Sequence, residues 1–257
     1  MVWINLELPS EDEQYLVKQY VNAFTPRTKV VHITHIVNWN GQILPVKQIA
    51  QEAHKRGIEV VVDGAHSFAH FDFKVPDLDA DYFAASLHKW LYAPIGSGML
   101  YVRKEKIKNL YPLFAVDNPL KDDIRKFEAL GTRPFFIEQA IGKAIEFHDM
   151  IGSERKEKRL HYLKNYWMEK VKDLPGIYFN TSLHPKWGCA IGNIGFTGRK
   201  PGELDSFLLD KYKVHTVGIE WENIKGIRVT PNVYTTTKNL DVLVDGIRAF
   251  SKLKIES

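Results

Sequence analysis

The segment from residue 45 to residue 63 constrains the fold more than any other stretch of the chain. Pro45 opens a helix whose Val46, Ile49, Ala50 and Ala53 recur at the spacing of one helix face, and Gly57 closes it where a left-handed residue ends a helix. Ile58 to Val62 follows, apolar apart from Glu59, and the run ends at Asp63-Gly64. A nearly continuous apolar strand belongs in a sheet covered on both faces. With a second apolar strand at Lys29 to Thr34 ahead of the helix, the segment makes a strand-helix-strand unit. Such a unit crosses over to a parallel neighbour, so the chain is read as α/β with a mostly parallel central sheet. Asp63 then stands at the carboxyl end of a buried strand, the edge outside which open α/β sheets bind ligands.

The same reading extends along the chain. Val2 to Leu8 alternates as a strand, Ser10 to Glu13 has the spacing of a capping box, and a helix runs to about Phe24 before Pro26 stops it. Tyr82 to Ala85 is a short strand ending at Ser86, and Gly96-Ser97-Gly98 turns the chain into a strand at Met99 to Val102. A helix at Pro134 to Met150 follows the turn Gly131-Thr132-Arg133. Gly152-Ser153 marks the domain boundary, giving a larger unit at 1–153 and a small α+β unit at 154–257. The second unit reads as a charged helix to about Lys172, strands near 177–180, 190–196, 214–218 and 227–230, and helices at 203–212 and 240–253. The dense charge run Glu154 to Lys158, with Arg159 beyond it, mixes signs and is read as a solvated helix face. Neither internal repeats nor low-complexity stretches interrupt this order.

Charge and cysteine usage exclude several partners. Lys and Arg total 35 against 31 Asp and Glu, a formal excess of +4 that is scattered rather than clustered, so no nucleic-acid surface is expected. The lone Cys189 cannot pair within the chain, which fits a reducing compartment. No apolar run is long enough to span a bilayer and no export signal opens the chain, so a soluble, cytoplasmic protein without membrane partners is expected. His32 with His35, and His66 with His70, lie on or beside strands without further ligands nearby in sequence, and no metal site is expected.

The chemistry-bearing residues sit at strand ends. Lys89 emerges from the edge after Ser86, as Asp63 does from its own strand, and a lysine amine paired with a buried carboxylate is what pyridoxal 5'-phosphate requires. The amine forms the Schiff base; the carboxylate keeps the pyridine nitrogen protonated. Taken alone, Asp63 could equally cap the turn that follows it, and Lys89 could be a solvated lysine.

The run Thr34-His35 through Asn38 and Gly41 to Pro45, then Val62-Asp63-Gly64-Ala65-His66, Ser86-Leu87-His88-Lys89-Trp90 and Gly96-Ser97-Gly98, resembles the class V aminotransferases, most closely their isopenicillin N epimerase-like branch. The likeness continues through Gly131-Thr132-Arg133 and Ile227-Arg228-Val229-Thr230 and so covers nearly the whole chain. It implies the fold type I architecture of pyridoxal-phosphate-dependent transferases, a partial large domain followed by a small α+β domain. Lys89 is implied as the Schiff-base lysine that moves protons at the substrate α-carbon, and Asp63 as the partner of the pyridine nitrogen. Ser86 and His88 are implied as phosphate ligands, joined by Thr132 offered from a second subunit. A homodimer with the site at its interface follows from that offer. Asn38 and His66 flank the ring and bond its phenolic oxygen, where related enzymes often carry glutamine at the position of His66. A satisfied core histidine is the alternative for His66. Arg228 grips the α-carboxylate of an amino-acid substrate, a task suited to a planar guanidinium fork. Trp221 and Tyr234, near Arg228 in sequence, either shape the substrate pocket or pack.

Members of the family carry, ahead of the part matched here, a long segment with a glycine-rich turn that binds the phosphate and a side chain that stacks on the ring. Met1 already lies past both, so the resemblance implies that this chain alone binds the cofactor weakly or not at all. A desulfurase needs a nucleophilic cysteine shortly before the carboxylate-binding arginine, and residues 214–228 contain none. Transamination or epimerisation at an amino-acid α-carbon is therefore expected. The competing reading is a truncated or degenerate module without catalysis of its own, against which the joint presence of Asp63, Ser86, His88, Lys89 and Arg228 speaks.

Overall fold

The computed structural model describes residues 1–253. Its first sheet is assembled around the segment that dominates the sequence. β1 (Val30–Thr34) and β2 (Glu59–Asp63) run parallel, with Thr34 opposite Asp63. β3 (Tyr82–Ser86) is parallel to β2, and β4 (Gly98–Val102) returns antiparallel to it, in the order β1-β2-β3-β4. α2 (Val46–His54) makes the crossover and buries the expected face of Val46, Ile49, Ala50 and Ala53. α1 (Glu13–Ala23) packs beside it through Leu16 and Tyr20. Gly64 must be glycine, because a Cβ there would lie 1.9 Å from the Phe83 ring, and that closeness lets the chain turn tightly off β2.

The second unit is an antiparallel sheet of β5 (Ile177–Phe179), β6 (Gly192–Phe196), β7 (Val217–Trp221) and β8 (Ile224–Val229), in the order β5-β6-β8-β7. α3 (Phe136–Ile151) and α4 (Ser153–Glu169) lead into it, joined at Gly152 with φ +83°. α5 (Pro201–Tyr212) and α6 (Thr237–Ser251) complete its core with Trp167, Leu208, Ile227 and Ile247. Among the described residues no helix is long and apolar enough to cross a membrane.

Four expectations change. Val2 to Leu8 is not a strand: it joins no backbone ladder among the described residues, and side chains meet two of its backbone groups instead, with Tyr15 Oη accepting from Glu7 N and Asn223 Nδ2 donating to the Leu8 carbonyl. β7 lies three residues later than expected, because the two-residue turn Glu222-Asn223, with Glu222 at φ +47°, pairs Trp221 with Ile224. The charged start of α4 is not wholly solvated. Lys156 is fully buried there, its Nζ donating to the Trp90 carbonyl, because α4 is pressed against the loop that follows β3. Capping also moves, with Asp12 rather than Ser10 accepting from Tyr15 N at the start of α1.

The two units meet along the turn after β1. Asn40 Nδ2 donates to the Asn180 carbonyl at 2.8 Å, Asn193 Nδ2 to the Trp39 carbonyl at 3.0 Å, and Gln42 bridges to Gly188. Gly41, at φ +76°, admits this approach, since a Cβ would stand 2.5 Å from the Ile191 carbonyl oxygen. A small apolar cluster of Ile36, Trp90, Leu160, Cys189, Ala190 and Ile191 seals the seam.

Candidate active site

Asp63 closes β2, and its side chain does two things at once. Oδ1 accepts from Ala65 N at 2.8 Å, which stiffens the turn, while Oδ2 has no partner among the described residues. The capping role and the functional role are therefore compatible, one oxygen to each. Lys89 follows β3 by one turn and is half-buried, and its Nζ makes no hydrogen bond among the described residues. Burial lowers its ammonium below the ordinary lysine value; the charge of Asp63 opposes that shift and the charge of Arg228 assists it.

His66 lies beside the same charges. Burial brings its imidazole down to about 4, with Lys89 and Arg228 pushing the same way and Asp63 resisting, so the ring is neutral at ordinary pH. Trp90 Nε1 donates to His66 Nδ1 at 3.3 Å. Arg228 sits on β8, an interior strand between β6 and β7, opposite Asn193 and Val217. It is therefore not a surface arginine on an exposed edge strand. Its Nη1 donates to the Asn38 carbonyl at 2.9 Å, and its Nε is buried with no partner among the described residues. A buried guanidinium N–H left unpaired costs free energy unless something completes it.

Asp63, His66, Lys89 and Arg228, drawn from two sheets and the turns between them, thus share one electrostatic locale. Asn38 joins them through its backbone, with its side chain exposed. Ser86 ends β3 half-buried, and its carbonyl accepts from Lys89 N at 3.4 Å across the turn that follows. His88 is exposed, and its Nδ1 faces the Ser97 carbonyl at 3.1 Å. A carbonyl only accepts, so the His88 proton is on Nδ1 and its Nε2 can donate to a phosphate only from the doubly protonated ring. Thr132 is exposed on the segment before α3 and is not brought to the other residues within this chain.

Trp221 stands at the far end of the β7–β8 hairpin from Arg228, tilted against Trp39 at 5.8 Å, and Tyr234 is exposed. Neither lies beside Arg228 in strand register. His70 is buried, its Nδ1 donating to the His66 carbonyl at 2.7 Å and its Nε2 accepting from Ala190 N at 3.0 Å, so both nitrogens are committed within the fold. Among the described residues no group of three or more His, Cys, Asp or Glu is arranged to hold a metal ion.

Trp90 and His70 were not legible as site residues. Trp90 meets His66 and His70 only once the turn after β2 and the turn after β3 are packed together, and the amide that fixes His70, Ala190 N, comes from 120 residues away.

The site fits the cofactor that the residues suggest. Among the described residues it offers an unbonded lysine amine, an acid with one free oxygen, a neutral imidazole and a guanidinium with an orphaned N–H.

Comparison with known proteins agrees. The family model of the class-V aminotransferases matches residues 4–220. Isopenicillin N epimerase of Streptomyces clavuligerus is 28% identical over 264 residues, covering 95% of this chain and 66% of its own length. A probable cysteine desulfurase of Halalkalibacterium halodurans is 33% identical over 177 residues, covering 65% of this chain and 43% of its own. The solved cysteine desulfurase of Thermococcus onnurineus superposes with a TM-score of 0.79 at 23% identity, covering 98% of this chain and 66% of that one, a likeness of fold. The chain spans just under two thirds of the length of the isopenicillin N epimerases it matches, 66% and 65%. Its architecture is the α/β fold type I of pyridoxal-phosphate-dependent transferases, and the chain belongs to the class-V aminotransferase family.

Proposed function

We propose that the protein is a pyridoxal 5'-phosphate-dependent enzyme acting at the α-carbon of an amino acid, by transamination or epimerisation, with Lys89 as the lysine that carries the cofactor. The observation that supports it is the convergence of Asp63, His66, Lys89 and Arg228 from separate elements on one partly buried locale. When bound, the cofactor supplies an electron sink that stabilises negative charge at the α-carbon. The chain's residues do the rest.

Lys89, held below the ordinary lysine value by burial, keeps a larger uncharged fraction than a solvated lysine, and only the uncharged amine attacks a carbonyl or accepts a proton from carbon. The free oxygen of Asp63 would pair with the pyridine nitrogen and keep it protonated. Arg228 presents its guanidinium to the substrate carboxylate, while its bond to the Asn38 carbonyl fixes the plane of the fork. Asn38 and His66 would hold the phenolic oxygen, and Ser86, His88 and the Thr132 of a second copy would hold the phosphate.

Homodimerisation is part of this proposal. α3 buries only Ala144, leaving Phe147 and Met150 exposed, with Phe135 and Phe136 exposed at its start, an apolar face that a second copy would cover. The division at 1–153 and 154–257 is retained as the domain boundary. Desulfurase chemistry is disfavoured because Cys189 is buried and burial pushes its thiol up, away from the reactive thiolate.

Borohydride reduction in excess pyridoxal phosphate, followed by peptide mapping, is expected to leave a pyridoxyl group on Lys89 and none in Lys89→Ala. Amino acids incubated with the protein in deuterated water are expected to exchange their α-proton. Labelling elsewhere, together with no exchange for any amino acid, would leave the non-catalytic module in its place.

A further inference from the structure

The hydrogen-bond directions behind His66 leave no freedom in where its proton sits. An indole N–H is a donor and nothing else, so the bond of 3.3 Å from Trp90 Nε1 requires a lone pair on His66 Nδ1. A neutral imidazole with a lone pair on Nδ1 carries its hydrogen on Nε2. His66 Nε2 has no hydrogen bond among the described residues and is not sealed in the core, and the charges of Asp63, Lys89 and Arg228 act on the ring that carries it.

Trp90 is itself held so that it cannot turn away. Its ring stacks on His70 with centroids 3.7 Å apart and an interplanar angle of 18°, and its carbonyl accepts from the buried Lys156 Nζ. His70 is locked in turn by donor-only and acceptor-only partners. Ala190 N can only donate to its Nε2, and the His66 carbonyl can only accept from its Nδ1. Every tautomer in the chain Ala190–His70–His66–Trp90 is thus determined by groups that have no alternative role.

We propose that Trp90 is a positioning residue whose indole N–H forces His66 into the Nε2–H tautomer, so that a neutral donor, and never an acceptor, faces the phenolic oxygen of the cofactor. The inference rests on the assignment of His66 to that oxygen, but its central claim concerns the chain without cofactor. A packing role alone would need the Trp90 ring and would be indifferent to its N–H.

Long-range proton–nitrogen correlation spectra of the 15N-labelled full chain test it, with His66 assigned by the signals lost in His66→Gln. The expected pattern is a protonated Nε2 and an unprotonated Nδ1, unchanged from pH 8 down to pH 6. Trp90→Phe keeps an aromatic ring over His70 and removes the donor, and it is expected to turn the single tautomer into a mixture. If Trp90→Phe does not fold, the Trp90 indole proton in otherwise unaltered protein decides, since it must shift in His66→Gln. A proton on Nδ1 in the unsubstituted chain, an unaltered pattern in Trp90→Phe, or an unmoved indole proton would each overturn the proposal. With pyridoxal phosphate added, the pH midpoint of the visible band is expected to shift in Trp90→Phe. Absence of any band in every form would count against the cofactor reading and leave the tautomer result intact.

Discussion

At the scale of single residues the site is a set of polar groups each left with one function unfilled. Asp63 spends one oxygen on its own turn, Arg228 spends Nη1 on the Asn38 carbonyl, and His66 accepts at Nδ1. What remains is a free oxygen, a buried orphan N–H and an open Nε2. Arg228→Lys tests the guanidinium directly, because it keeps the charge and loses the fork. With an amino acid that shows α-proton exchange, KM is expected to rise about 10- to 100-fold, the loss of one charge-assisted bond, with kcat changed less. A fall in kcat at constant KM would remove Arg228 from substrate binding. Asp63 and Lys89 were legible in sequence because strand-end position and residue type sufficed to pick them out. The proton positions on His66 and His88 were not, since each depends on the Trp90 indole or the Ser97 carbonyl lying within reach.

At the scale of elements, α4 departs furthest from its sequence. Its charge density reads as a solvated face, yet Lys156 and Lys164 are fully buried, bonded to the carbonyls of Trp90 and Ser182. Burial brings both ammonium groups down to about 8. In the unfolded chain a lysine titrates near ~10.4, so between about pH 8 and pH 10 the unfolded state binds more protons than the folded one. Stability therefore rises with pH across that window, by on the order of 1–3 kcal/mol for each lysine. The urea midpoint is expected to climb from pH 7.5 to pH 9.5, and to climb far less when both lysines are replaced by methionine. A flat midpoint in the unsubstituted protein would show that neither amine is held below its ordinary value. The misplaced strands have a common cause at this scale. Val2 to Leu8 has strand-like alternation but is held by the side chains of Tyr15 and Asn223 rather than by a backbone ladder, and β7 takes its register from a Glu222-Asn223 turn that carries no glycine to announce it.

At the scale of the whole molecule, the site exists only because the two sheets meet. Asn38 and Arg228 are 190 residues apart, and the asparagines at 40, 180 and 193 hold the turn after β1 against the second sheet. The exposed apolar side of α3 carries the prediction about assembly. Sedimentation at micromolar concentration is expected to give a dimer, and replacing both Phe135 and Phe136 with serine is expected to shift it toward monomer. A monomer before substitution would refute the proposed interface. Several things followed from the amino-acid order alone: a parallel strand-helix-strand core, an acid and a lysine at neighbouring strand ends, and the family whose motifs those residues match. They could be read because periodicity, glycine and proline act locally, within a turn or a strand. The packing decided which charges are buried, which nitrogen of each histidine carries its proton, and that Arg228 reaches Asn38. Those properties depend on partners distant along the chain, and only the closed structure brings them within a few ångströms.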